Sequence, residues 1–245
     1  MTTKVGVIGA SGKMGSEVCG AVEADNELEL VVRVGRGDSL ETLVESGAEV
    51  AVEFSIPGSV KDNAAFCLRS GIHTVIGTTG LTSTDLEELG ELVTEHGAKC
   101  FVAPNFAVGA VLMMQFAARA SPYFEVAEIV ERHDKGKLDA PSGTSLRTAA
   151  LMNEARADKW DTPVGGKESL AGARGGEVDG VHIHSLRTPG SVAHQEVILG
   201  SPGQTLTIRH DSQDRASFMP GVILAVKKVS SLEDLTVGLE RLLDL

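Results

Sequence analysis

Apolar and polar positions divide the chain near residue 106. Before that point, short apolar runs alternate with segments whose apolar residues recur three or four positions apart. "KVGVIGA" (residues 4–10) is an apolar run ending in glycine, as a buried parallel strand should be. "GKMGSEVCGAVEA" follows, with Met14, Val18 and Val22 at helical spacing. "LELVVRV" predicts a second strand and "AEVAVEFS" a third, and "VKDNAAFCLRSG" predicts a helix closed by Gly71. "HTVIGTTG" predicts a fourth strand. "STDLEELGELVTEHG" predicts a helix with Ser83 or Thr84 as N-cap and Gly97 past its end, and "AKCFVAPN" a fifth strand. Strands alternating with helices require right-handed crossovers and predict a parallel, doubly wound, Rossmann-type sheet.

After residue 106 the alternation stops. "VGAVLMMQFAARASPYF" predicts a long helix with Met113 and Met114 as core filler. "EVAEIVERH", "GVHIHSLRT", "SVAHQEVILGS" and "QTLTIRHDS" are β-rich runs separated by glycine turns, the pattern of an antiparallel or mixed sheet. "FMPGVILAVKKV" and "EDLTVGLERLL" predict two final helices. The expected organisation is α/β. A dinucleotide-binding domain spans residues 1–106 and a second α+β domain for substrate binding and oligomerisation spans 107–215. C-terminal helices at 216–245 return to the first.

Composition agrees with this pattern. The 42% hydrophobic content of 245 residues supports a real core, while 4% aromatics and 28 glycines suit tight turns better than an all-β sandwich. The net charge of −12 argues against nucleic acid or an anionic membrane as partner, so an anionic ligand needs a local cluster of donors. Cys19, Cys67 and Cys100 are far apart and odd in number, which predicts buried, reduced thiols in a cytoplasmic protein. No apolar run approaches the roughly 20 residues that span a bilayer.

Ligands of such sheets bind at the carboxyl ends of the strands, here "GASGKMG", "RVGRGD", "FSIP", "GTTG" and "APNF". Gly9, Gly12 and Gly15 follow the first strand and open the first helix, where backbone amides can approach a pyrophosphate. The second strand ends in "VVRVGRGD", with Gly35 where an acid would read the ribose of NAD. Arg33 and Arg36 flank it, which favours a 2′-phosphate and hence NADPH, unless both are surface residues.

In the second half, "ERHDKGKLDAPSGTS" (131–145) leads from a strand, through a loop, into a helix capped by Ser142 and Thr144. Gly143 lets an anion approach that helix N-terminus, Lys137 adds a cation, and His133 supplies an acid or base near neutral pH. With a nicotinamide expected opposite, this layout suits reduction of a small carboxylate substrate. His182 and His184 share a strand face, but no third ligand stands at metal-binding spacing, so a packed or substrate-facing pair is expected and no metal.

These residues resemble the dihydrodipicolinate (4-hydroxy-tetrahydrodipicolinate) reductase family of lysine and diaminopimelate biosynthesis. The resemblance runs through "VGVIGASGKMG", "VIGTTGLT", "APNFAVGAVLM", "ERHDKGKLDAPSGTS", "VAHQEVILG" and "DRASFMPGVILAV". "RTPGSVAHQEVILG" is most similar to actinobacterial members. The resemblance implies hydride delivery from NADPH or NADH to C4 of a conjugated cyclic imine dicarboxylate, then protonation at C3. It implies that His133 is the general acid and that Lys137 binds and polarises the substrate. Gly143 and Thr144 then hold a carboxylate. Gly9, Gly12, Lys13 and Met14 match the pyrophosphate loop, Gly77 and Thr79 the "GTT" turn, and Ala103, Asn105 and Phe106 the strand end near the nicotinamide. Arg215 matches an arginine at the domain junction, and members are typically homotetramers joined through the second-domain sheet. The chain departs from the family at Asp134, where a second histidine usually helps bind a substrate carboxylate. Asp134 points away, is neutralised (Lys135 is nearby in sequence), or weakens binding. The rivals are another two-domain NAD(P) dehydrogenase of amino-acid metabolism and a nucleotide-binding homologue that lost turnover.

Overall fold

The elements along the chain are β1 (Thr3–Ile8), α1 (Lys13–Ala24), β2 (Leu28–Val34), α2 (Glu41–Glu45), β3 (Val50–Glu53), α3 (Val60–Arg69), β4 (His73–Ile76), α4 (Ser83–His96) and β5 (Cys100–Val102). There follow α5 (Val108–Ala120), β6 (Val126–His133), α6 (Gly143–Glu154), β7 (Gly176–Val178), β8 (Val181–Arg187), β9 (Ala193–Ser201), β10 (Gln204–Ser212), α7 (Met219–Lys228) and β11 (Thr236–Val237). The structure, a computed structural model, describes residues 2–161 and 168–243. Two units emerge from the contacts: Met1–Val108 with Arg215–Leu245, and Gly109–Asp214.

In the first unit the apolar runs become strands, with β3 and most of β1, β4 and β5 buried on both faces and the edge strand β2 only partly so. The sheet order is β11-β5-β4-β3-β1-β2, and every pairing is parallel. Val60, Ala64 and Leu68 of α3 pack with Leu89 and Val93 of α4 on Ile76 and Cys100. Leu43 of α2 and Cys67 of α3 pack with Ile8, Val34 and Ala51. The first and last helices, α1 and α7, pack on each other. All three cysteines are free and buried, and burial pushes the Cys67 and Cys100 thiols up to about 12, so they pack as small apolar groups. Among the described residues, no helix is long and apolar enough to cross a membrane.

Three local expectations change. The N-cap of α4 is Thr82, one residue before Ser83 and two before Thr84, the expected positions. Its Oγ1 accepts from the Asp85 amide at 3.2 Å and Asp85 Oδ2 accepts from the Thr82 amide at 2.8 Å, so two amides left over at the helix start are satisfied reciprocally. The short α2 was not anticipated. The last expected helix is not formed: Thr236 and Val237 pair with Phe101 and Val102 as β11, and the Gly238 amide donates to the Val102 carbonyl at 2.9 Å. Gly238 has φ +99°, a turn that ends the strand and leads into a short 3₁₀ segment, Leu239–Leu242.

The second unit carries a five-stranded sheet, β10-β9-β6-β8-β7. It is mixed rather than purely antiparallel, because β6 and β8 pair in parallel. The chain returns from β6 to β8 through α6, and a crossover of that length permits parallel strands. Ala127, Ile129, Glu131, Val181, Ile183, Gln195, Val197 and Leu199 are buried and define one covered face. Glu128, Val130, Arg132, His184, Glu196 and Ile198 alternate with them and are only half-buried. Met113 and Met114 are buried, as expected of core filler.

Candidate active site

At the carboxyl end of the first sheet, glycine is required where the chain turns into α1. Gly9 has φ +79°, and a Cβ there would lie 2.3 Å from the Phe54 carbonyl oxygen. A Cβ on Gly15 would lie 2.1 Å from the Gly9 carbonyl oxygen, so helix and turn touch through bare backbone. Gly12 is the N-cap and places no side chain over the first-turn amides. Lys13 is exposed and Met14 half-buried at the start of α1. An open cleft of about 310 Å³ lies beside this turn, lined by Gly9, Ser11, Gly12, Arg36, Phe54 and Asn63 among others. The donors, the bare amides and the cleft fit a dinucleotide.

The ribose end departs from expectation in one respect. Arg33 is bound to Glu23 of α1 at 2.6 Å, so only Arg36 of the flanking pair lines the cleft. Asp38, which sequence reasoning passed over, reaches back to Gly35: its Oδ2 accepts from the Gly35 amide at 2.8 Å. A Cβ on Gly35 would lie 3.3 Å from that carboxylate, so Asp38 occupies the space of the absent side chain. Gly77 lies flush with the Phe54 ring, which a Cβ would meet at 2.1 Å, and Thr79 is exposed in the following turn. Phe106 packs against Phe54 and Phe101 with centroids 5.8 and 6.1 Å away. Ala103 and Phe106 are buried in the core, so backbone is what they can offer a ligand. Asn105 braces the turn by accepting from the Ala107 amide at 2.9 Å. Arg215 is exposed and begins a 3₁₀ turn, Arg215–Phe218.

In the second unit, the end of β6, the loop after it and the start of α6 bring His133, Lys137 and Gly143 into one short stretch of chain. His133 is two residues past Glu131 and on the same strand face. Its Nδ1 contacts Glu131 Oε2, and among the described residues its Nε2 has no partner. Glu131 is fully buried and is clamped by Arg187, whose two terminal nitrogens reach its two oxygens at 2.9 and 3.0 Å. Burial would raise the Glu131 pKa, but hydrogen bonds from Arg187, Ser185 and His133 hold it below its ordinary value. Burial lowers the His133 pKa. The Glu131 carboxylate opposes that shift, and the charges of Lys137 and Arg187 add to it.

Lys137 Nζ pairs with Asp139 at 2.8 Å and remains partly exposed. Asp134 turns into its own loop: Oδ1 accepts from the Gly136 amide at 2.9 Å and its carbonyl from the Lys137 amide at 3.0 Å. This engages one of its two carboxylate oxygens within the loop, and no pairing with Lys135 occurs among the described residues. Ser142 caps α6, its Oγ accepting from the Ser145 amide at 3.2 Å. Ser145 Oγ donates to Gln195 Oε1 at 2.8 Å, Gln195 Nε2 to Thr148 Oγ1 at 2.7 Å, and Thr148 Oγ1 to the Thr144 carbonyl at 2.8 Å. This buried chain locks the start of α6 to β9. A Cβ on exposed Gly143 would meet nothing within 4 Å, so the fold itself does not require glycine there. His184 is bound to Glu128 at 2.7 Å on the half-buried face, away from this loop.

Comparison with known proteins agrees with the geometry. The family profile "Dihydrodipicolinate reductase, N-terminus" matches residues 3–106, and "Dihydrodipicolinate reductase, C-terminus" matches 109–243. The chain is 52% identical over 245 residues to the 4-hydroxy-tetrahydrodipicolinate reductase of Streptomyces coelicolor, covering 99% of this chain and 98% of that one. It is 51% identical to the enzyme of the same name from Nocardia farcinica, with both chains fully covered. Dipicolinate-bound dihydrodipicolinate reductase from Paenisporosarcina sp. TG-14 superposes with a TM-score of 0.89 at 39% identity, covering 98% and 99% of the two chains. With both profiles matched end to end and half of all positions shared with such relatives, the chain belongs to the dihydrodipicolinate reductase family.

Proposed function

We propose that the chain reduces 4-hydroxy-tetrahydrodipicolinate, by way of its dehydrated imine, to tetrahydrodipicolinate, with NADPH or NADH as reductant. Water leaves the substrate, a hydride adds at ring C4, and a proton adds at C3. The bound cofactor supplies the hydride; the residues of this chain bind, orient and protonate.

The observation that carries this reading is the stretch from His133 to Thr144. That stretch of chain holds an imidazole whose Nε2 has no partner among the described residues, a lysine and the capped start of a helix. His133 is the proton donor, and its lowered pKa makes it a stronger acid than ordinary histidine. Lys137 draws in a substrate carboxylate in competition with Asp139, and Gly143 with Thr144 receives a carboxylate at the start of α6. The dipicolinate held by the Paenisporosarcina relative is a planar ring dicarboxylate and supports this substrate class.

Arg36 favours the 2′-phosphate of NADPH, while the Asp38 carboxylate offers an acceptor to the unphosphorylated ribose. The two work against each other and leave a preference for NADPH of about tenfold or less. The half-buried face of the second sheet, with Val130, Leu186 and Ile198, supports assembly into a homotetramer, and a biosynthetic role of this kind is cytoplasmic.

The test is a coupled assay: dihydrodipicolinate synthase, pyruvate and aspartate semialdehyde generate the substrate, and loss of reduced cofactor is followed. Oxidation that needs the synthase product supports the reading. Its absence with cofactor still bound would favour a non-catalytic homologue. Oxidation with free aspartate semialdehyde alone would favour a different dehydrogenase.

A further inference from the structure

We propose that Glu131 and Arg187 form a buried positioning pair that holds His133 with its proton on Nδ1, so that Nε2 is the nitrogen that exchanges protons with the substrate. This rests on the reading of His133 as the proton donor and adds to it the residues that set the donor's chemistry.

The geometry follows from strand register. Glu131 and His133 alternate onto the covered face of β6, and Arg187 of β8 stands directly opposite His133 in the parallel ladder. Its guanidinium therefore lies beside both residues and bridges the two oxygens of Glu131. An isolated carboxylate as buried as Glu131 would take up a proton; paired with Arg187 it stays ionised. An ionised carboxylate can only accept hydrogen bonds. The Nδ1 facing it must therefore donate. Neutral imidazole has a single N–H, so Nε2 holds the lone pair, and in the charged ring the Nε2 proton is the one left to give. A free histidine side chain prefers the opposite tautomer, so the pair selects against the default.

Arg187 reaches further. It also donates to the carbonyl oxygens of Leu186 and of Asp139, the residue that pairs with Lys137. The same side chain thus ties the histidine's orienting group to the loop that carries the lysine. The charged groups facing His133 are Glu131 on its own strand, Arg187 on β8 and Lys137 on the loop. On β9 the residue opposite is Ala193, which carries no charge.

Full-length protein with ¹⁵N-labelled histidine distinguishes the tautomers by the shifts of Nδ1 and Nε2 above the ring's pKa, with His133→Gln identifying the signal. The wild type should show Nδ1 protonated and Nε2 bare. In Glu131→Gln, Arg187 takes the amide oxygen, the amide NH₂ faces His133, and the ring must accept at Nδ1 and switch to the Nε2–H form. Turnover should then fall by about 10²- to 10⁴-fold with cofactor affinity unchanged. The limb of the pH profile that reports protonated His133 should move to lower pH, because the negative charge favouring imidazolium is gone. An Nε2–H tautomer in the wild type would overturn the proposal, and that measurement needs no variant to fold. An unchanged tautomer with turnover within about threefold in Glu131→Gln would overturn it too. If the tautomer is as expected but His133→Gln retains turnover, the proton-donor reading fails and the pair stands as a structural device alone.

Discussion

The cleft of the first unit and the loop of the second are built in opposite ways. The cleft depends on what is missing. Gly9, Gly15 and Gly77 leave no room for a Cβ, Gly12 leaves amides uncovered, and few charged side chains take part. The loop depends on side chains, and each is held by another: His133 by Glu131, Glu131 by Arg187, Lys137 by Asp139, Ser145 by Gln195. A dinucleotide carries its own charges and shape and needs only a backbone that fits. A small dicarboxylate that must be protonated at one carbon needs ionisable groups at fixed positions, and burying them requires partners.

This contrast can be broken from either side. On the cleft side, Gly15→Ala places a methyl 2.1 Å from the Gly9 carbonyl, and neither backbone can yield without moving α1. We expect a loss of roughly 1–3 kcal/mol in stability by thermal or denaturant unfolding. Cofactor affinity, read by quenching of intrinsic fluorescence, should weaken by about 10²-fold. On the loop side, Lys137→Met should leave cofactor affinity alone. It should lower kcat/KM by about 10- to 100-fold, the worth of a charge-assisted contact of roughly 1.5–3 kcal/mol, with both KM and kcat affected.

Gly143→Ala sharpens the contrast, because the same kind of change is harmless to the fold here. Nothing lies within 4 Å of the added methyl, so the unfolding midpoint should hold while substrate KM rises by about tenfold, the worth of one carboxylate hydrogen bond. An unchanged KM would remove Gly143 from the substrate site. The smallest effect belongs to the ribose end. Arg36→Ala should lower the ratio of kcat/KM for NADPH over NADH by about 3- to 10-fold, and Asp38→Asn should raise it by a similar factor. Both need fixed ionic strength, since salt screens the phosphate contact. A ratio untouched by either change would mean that the ribose is read elsewhere.

Legibility in the sequence follows the same division. The parallel strands were readable because burial on both faces leaves unbroken apolar runs, and the glycine turn because its spacing is local. The five-residue α2 gave no periodicity to detect. At β11 the spacing of Leu235, Leu239 and Leu242 imitates a helix, while pairing with β5 decides the outcome. Arg33 stayed open between a phosphate contact and a surface residue because its partner, Glu23, lies on a different element. His133 and Lys137 were legible as residue types. Their supports were not, because Arg187 lies 56 residues from Glu131 and Gln195 lies 50 from Ser145. Two signals were present all the same. Glu131 sits two residues before a histidine on a strand, hence on its face, and Gln195 takes an inward position in the alternating run "AHQEVIL". Asp134, where the family usually has a histidine, engages its own loop through Oδ1, a contact to Gly136 that the sequence does not announce.

The most direct test of the division is to measure turnover and cofactor binding side by side on His133→Gln. The substitution keeps size and polarity and removes the ionisable ring. The account predicts that kcat in the synthase-coupled assay falls by about 10²- to 10⁴-fold while the dissociation constant for NADPH stays within about twofold of wild type. A kcat within about threefold of wild type, or a loss of turnover matched by an equal loss of cofactor affinity, would contradict it.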